Sequence, residues 1–171
     1  MAKKSVLAKA NPRLTTQTDL SDNAIPEIAE ALNGLVADSY VLYTKTKNFH
    51  WHVSGPHFRD YHLLFDEQAI EIFATVDDLA ERVRKLGAKT IHSIGEIARL
   101  STIKDNDKDY VAPADMLVEL MNDNKTVIKR MRAAHEIADK HEDVATASIL
   151  ENFIDQAEKR NWFLFEASRK A

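Results

Sequence analysis

The 171-residue sequence contains no cysteine and only four glycines and four prolines. Without cysteine, the chain cannot form disulfides, a thiolate nucleophile, or zinc and iron–sulfur sites built on cysteine. The scarcity of glycine and proline, beside 44% hydrophobic and 29% charged residues, argues against disorder and β-sandwiches. No apolar stretch has the length of a transmembrane helix. We therefore expect long helices in one domain, with no membrane span and a cytoplasmic location.

Charge is distributed unevenly along the chain. Residues 1–18 contain four bases and no acid, and the remainder contains 19 bases (23 less 4) against 27 acids. The four bases are Lys3, Lys4, Lys9 and Arg13. We predict a flexible basic arm over residues 1–20 and a folded domain over residues 21–171. Two interpretations of the arm stay open, a solvated terminus or a non-specific contact for the phosphates of DNA.

Four long segments have the apolar spacing of amphipathic helices. They cover residues 24–52, 58–85, 113–140 and about 144–168. The connection between the second and third is too long to be structureless, and IGEIARL, residues 94–100, predicts a short helix inside it. Four helices with one long central crossover predict an all-α, ferritin-like up-down-down-up bundle with an extra short helix in that crossover.

The second helix carries two apolar stripes. One is the ordinary core stripe, and the other contains Ile70 and Phe73 with polar residues at both ends. At 100° per residue, these polar residues lie within about 100° of one another. They are His62, Asp66, Asp77 and Glu81. A helix with two apolar faces is usually buried on both, so the second stripe predicts an interface between subunits.

The four polar residues cannot meet within one helix, because His62 and Asp77 are separated by roughly 22 Å along the axis. The pairs His62/Glu81 and Asp66/Asp77 share the midpoint 71.5. An antiparallel copy of the helix crossing there would unite both pairs in two identical sites. His50, at the end of the first helix, can join His62 and Asp66 of its own chain. The predicted set of two imidazoles and three carboxylates suits Fe(II) or Mn(II), although an ordinary exposed stripe is the alternative.

Residues 48–87 resemble the Dps family (DNA-binding proteins from starved cells, or miniferritins). The pattern His-x11-His-x3-Asp-x10-Asp-x3-Glu matches throughout, and Trp51 follows its first histidine. The resemblance implies a dodecameric shell with ferroxidase sites at its two-fold interfaces. Fe(II) would be oxidised there, usually by hydrogen peroxide in preference to dioxygen, and stored as ferric mineral, which protects DNA. It assigns His50, His62 and Asp66 to one side of each site, and Asp77 and Glu81 to the other.

Several alternatives remain open at this stage. The chain could be a structural or nucleoid-binding helical assembly without ferroxidase activity. Trp51 has either a packing or a redox role, and His52 and His57 are surface residues or auxiliary metal ligands. The remaining histidines, 92, 135 and 141, are expected to be structural or solvated. Candidates for pore lining or mineral nucleation, or else for an ordinary solvated surface, are Glu67, Glu71, Asp78, Asp139, Glu142 and Asp143.

Overall fold

The structure, a computed structural model, describes residues 11–169 and contains five α-helices in that range. They are α1 (Ala24–His52), α2 (Phe58–Lys85), α3 (Ile94–Leu100), α4 (Pro113–Lys140) and α5 (Val144–Ala167). A single 3-10 turn, Pro12–Leu14, precedes them. The predicted all-α fold with a short helix in the crossover is confirmed, and the helix boundaries agree with the expected ones to within one residue.

Ion pairs at both ends of α1 establish the helix directions. Near the end of α1, Lys45 contacts Asp123, early in α4, at 2.7 Å. Near the start of α1, Glu27 contacts Lys140, at the end of α4, at 2.8 Å. These helices therefore run antiparallel, while short turns join α1 to α2 and α4 to α5. The result is the up-down-down-up order, with the long crossover running back along the bundle.

The four long helices surround one apolar core. Its largest fully buried side chains include Phe49, Phe65, Leu79 and Leu120, which come from α1, α2 and α4. Within residues 11–169, no helix is both long and apolar enough to cross a membrane.

The crossover is fastened to α1 through a fully buried carboxylate. Asp38 accepts hydrogen bonds from the backbone N–H of Thr102 at 2.6 Å and from the Ser101 hydroxyl at 3.0 Å, and it pairs with Arg130 of α4. The Arg130 guanidinium passes over α1 at Gly34, where a Cβ would clash with it. A mid-helix glycine therefore makes room for a buried ion pair, since an uncompensated buried carboxylate would be costly.

Asp143, one of the six candidates for pore lining or nucleation, is a structural residue. It is 3% exposed, it caps α5 by accepting from the Thr146 N–H at 3.0 Å, and its other partner is Arg82 of α2 at 2.6 Å. Burial alone would raise the pKa of Asp143, but the hydrogen bonds from Arg82 and Thr146 outweigh it and lower that pKa. Asp143 therefore caps α5, and the pore assignment does not suit a carboxylate that is both buried and paired.

Candidate metal centre

The two histidines predicted as ligands lock one another in place. The His50 and His62 rings stack with their centroids 3.8 Å apart. The Nδ1 atom of His50 lies 2.8 Å from the carbonyl oxygen of His62, and the Nδ1 atom of His62 lies 2.9 Å from the carbonyl oxygen of His50. A carbonyl only accepts, so each Nδ1 carries the proton. Each Nε2 is then left as a lone-pair donor, which is the arrangement that a histidine ligand needs.

Asp66 lies one helical turn beyond His62, and its Oδ1 atom is 3.9 Å from His50 Nε2. The same oxygen accepts a 2.6 Å hydrogen bond from the Lys47 ammonium. That bond holds the pKa of Asp66 below its ordinary value, and the charge of Lys47 adds to the effect. The ammonium therefore supplies positive charge beside the three predicted ligands of this half-site.

Asp77 and Glu81 are exposed and lie on the distant half of α2. Among residues 11–169 the Asp77 side chain makes no ion pair or hydrogen bond, and Glu81 has only an exposed contact with Lys85 at 3.2 Å. Nor do three histidine, aspartate or glutamate side chains of that range converge into a metal cluster. A single chain thus presents two separated half-sites, one rich in imidazole and one made of carboxylates.

The apolar residues between the half-sites face outward. Ile70 is 65% exposed and Phe73 is 47% exposed, on a helix whose other face is the core. Their midpoint is again 71.5, the value shared by His62/Glu81 and Asp66/Asp77. An antiparallel copy in that register would set Ile70 against the partner's Phe73 and bury both side chains. Phe73 also packs on Tyr43 of its own chain, with ring centroids 4.8 Å apart, so α1 holds its position.

The other sequence candidates divide into paired and exposed residues. Glu71 is not simply solvated, because Arg160 and Lys159 of α5 lie 3.6 and 3.4 Å from it. Asp139 lies 3.3 Å from His135, while Glu67, Asp78 and Glu142 are exposed. Exposed side chains are also found at His52, His57, Trp51 and Arg13. Lys3, Lys4 and Lys9 fall outside the described residues.

Sequence reasoning missed Lys47, the residue that touches the predicted ligand Asp66. Lys47 lies one turn before His50 on α1, so helical spacing alone puts both on one side. The signal was therefore present, but a lone lysine on a helix surface is ordinary. Only the packing of α1 on α2 distinguishes it.

Comparison with known proteins agrees with this architecture. The ferritin-like domain model matches residues 29–170. The chain is 34% identical over 139 residues to the DNA protection during starvation protein 2 of Bacillus anthracis, which covers 81% of this chain and 94% of that protein. The chain belongs to the Dps family.

Solved Dps structures have the same fold. Dps from Thermosynechococcus elongatus superposes with a TM-score of 0.84 at 30% identity, covering 87% of this chain and 94% of that one. The Dps protein of Vibrio cholerae superposes with a TM-score of 0.86 at 26% identity, covering 93% and 99%. The latter is described as a member of a broad superfamily of ferritin-like diiron-carboxylate proteins. In this Dps-family chain, His50 of α1 lies beside His62 and Asp66, and the other two predicted ligands are exposed on the distant half of α2, at Asp77 and Glu81.

Proposed function

We propose that two copies of this chain pair through α2 and build two identical ferroxidase sites. Each site would take His50, His62 and Asp66 from one subunit and the partner's Asp77 and Glu81. Six such pairs would form a dodecameric shell that oxidises Fe(II), stores the ferric product and so protects DNA. Iron is the substrate here, and oxygen and imidazole donors together suit it.

The proposed oxidant is hydrogen peroxide, with dioxygen as the alternative. Two Fe(II) ions each give up one electron, and one peroxide molecule takes both, combines with two protons and becomes two water molecules. Splitting peroxide by two electrons avoids the hydroxyl radical that a single electron would release. The carboxylates would stabilise the rising positive charge on iron, and the imidazoles would bind it through Nε2, because each Nδ1 is taken up by a carbonyl.

The observation that carries the proposal is that one antiparallel register of two α2 helices brings the predicted ligands together and also covers exposed apolar side chains. The register that brings both ligand pairs together also opposes the two exposed apolar side chains, Ile70 and Phe73. Both side chains were already part of the second apolar stripe in the sequence, and the structure adds that they are 65% and 47% exposed in the single chain. An ordinary exposed polar stripe offers no reason for that agreement.

Anaerobic Fe(II) titration followed by peroxide tests the proposal. The variant Asp77→Ala with Glu81→Ala should oxidise Fe(II) at least about 100-fold more slowly, because losing ligands should cost no less than losing the partners of ligands. Glu151→Ala with Asp155→Ala is the matched control, since it removes two exposed carboxylates at the same four-residue spacing. Wild-type rates in the first variant would show that Asp77 and Glu81 are not part of a ferroxidase site.

A second candidate function, non-specific DNA binding, depends on the charge of residues 1–18. One arm with four bases binds weakly, but twelve arms on one shell would act together. Replacing Lys3, Lys4 and Lys9 by glutamine should abolish retardation of DNA in a gel shift. The control replaces Lys104, Lys108 and Lys125, three exposed lysines outside the arm, in the same way. Equal retardation of the arm variant and wild type would exclude the arm from this role.

A further inference from the structure

Residues 11–16 lie against the end of α2 as a short strap. Its backbone is tied to Arg84, whose Nη2 atom donates to the Leu14 carbonyl at 3.0 Å. The Thr16 hydroxyl donates to the Arg84 carbonyl at 3.1 Å, and the Arg84 guanidinium also donates to the Ala88 carbonyl. One arginine thus joins the strap, the last turn of α2 and the chain that follows it.

Gly87 lets the strap approach this closely. It ends α2 with φ +80°, a conformation that favours glycine, and a Cβ there would come within 2.8 Å of the Thr16 backbone nitrogen. The position of the strap therefore depends on backbone contacts as well as on a side chain.

Arg84 belongs to the same stripe of α2 as Asp77 and Glu81, because it follows them by seven and three residues on one helix face. The strap is therefore attached at the edge of the surface that faces the partner in the proposed pairing. In the register centred on 71.5, Arg84 opposes the partner's Arg59 and Gly87 opposes the partner's Pro56. Two facing guanidinium groups would repel each other, so the hydrogen bond that turns Arg84 toward the Leu14 carbonyl of its own strap would favour the pairing.

We propose that each subunit lays residues 11–16 along the turn between α1 and α2 of its partner, residues 53–57, beside the partner's His62. The inference rests on the two-fold pairing of the proposed function. It gives the strap a second role besides holding this part of the arm against α2 of its own chain, because it would cover the rim of each shared site and join the two subunits outside α2.

The absence of cysteine makes this contact directly measurable by cross-linking. Thr15→Cys with Ser54→Cys places one thiol on the strap and one on the turn, and both positions are exposed. Within a chain they lie near opposite ends of the 28-residue α2, roughly 42 Å apart, so a short bis-maleimide can join them only between chains. Two controls complete the set. Thr15→Cys with Ala133→Cys moves the second thiol to α4, and Ile70→Cys alone reports the two-fold pairing of α2.

The expected result is a covalent dimer from the Thr15/Ser54 pair, about tenfold more abundant than from either single variant or from the α4 control. If Ile70→Cys cross-links but the Thr15/Ser54 pair does not, the strap contact is wrong and the two-fold pairing stands. If neither cross-links, the two-fold pairing itself is wrong, and the proposed shared site fails with it.

Discussion

Two groups of acidic side chains in this protein differ in where their partners lie. Asp38 and Asp143 are buried, and each is matched by an arginine of its own chain. Asp77 and Glu81 are exposed on a face whose neighbouring residues are apolar. The first group fastens the crossover and caps α5, so its role is complete within one subunit. The second group has no such role in the monomer, which is why we assign its partners to a second subunit.

The largest effect is expected from substitutions on the exposed face of α2 that carries Asp77 and Glu81. Ile70→Glu with Phe73→Glu would put facing carboxylates in place of the four apolar side chains that the proposed dimer buries, each contributing about 1.5–3 kcal/mol. We expect sedimentation to show loss of the two-fold pairing, and iron oxidation to fall with it. Val118→Glu with Val144→Glu, which alters exposed apolar residues outside α2, should assemble normally. Unchanged assembly of the α2 variant would contradict the proposed register.

A moderate effect on stability is expected from removing a buried carboxylate that is paired within its own chain. Asp143→Ala leaves Arg82 and the first turn of α5 without their partner and should lower the free energy of unfolding by about 2 kcal/mol at pH 7. The pKa of Asp143 is lower in the folded chain than its ordinary value, so the ionised carboxylate stabilises the fold at pH values above the ordinary pKa of a carboxylic acid. This contribution is lost as the pH falls below about 4.

Urea unfolding at pH 7 and at low pH measures this dependence. The difference in the free energy of unfolding between Asp143→Ala and wild type should shrink in acid. Asp139→Ala, which removes an exposed carboxylate four residues before Asp143, should unfold almost as wild type does at both pH values. A difference independent of pH would show that the ionised carboxylate is not what stabilises the α5 cap.

The smallest effect on stability is expected from an ion pair that forms within one chain but lies in solvent. Arg132 contacts Glu158 between α4 and α5, and both side chains are at least half exposed. Arg132→Ala should change the free energy of unfolding by less than about 1 kcal/mol, because solvent screens such pairs. Thermal unfolding provides the measurement. A loss as large as that of Asp143→Ala would mean that burial is not what separates the two groups of acids.

The sequence was sufficient to predict the helices because their signals are local. Apolar spacing located the four long helices, and the length of the crossover indicated the short one. The helix ends also have local causes, such as the positive φ of Gly87 after α2 and the Asp143 cap of α5. The exposed apolar stripe of α2 also followed from periodicity, since a second apolar stripe needs no knowledge of the neighbouring helices.

Pairing between distant residues could not be predicted in the same way. Nothing in the sequence near Arg82 of α2 indicates its partner, because Asp143 lies 61 residues away in the next helical hairpin. The two hydrogen bonds in which His50 and His62 each donate from the ring to the other's backbone carbonyl depend on how tightly the turn at residues 53–57 closes. Likewise, nothing in the neighbouring sequence explains why Gly34 stands inside α1. Its role becomes visible only when Arg130 packs across it.

Subunit complementation tests the central claim, a site divided between two chains, most directly. One variant carries His62→Ala and Asp66→Ala, the other carries Asp77→Ala and Glu81→Ala, and both should be inactive alone. In a mixed dimer both defects fall in one site, so the other site is intact. With random pairing of equal amounts, about a quarter of the wild-type rate of Fe(II) oxidation should return. A co-assembled mixture that stays as inactive as its two parents would contradict a site shared between subunits.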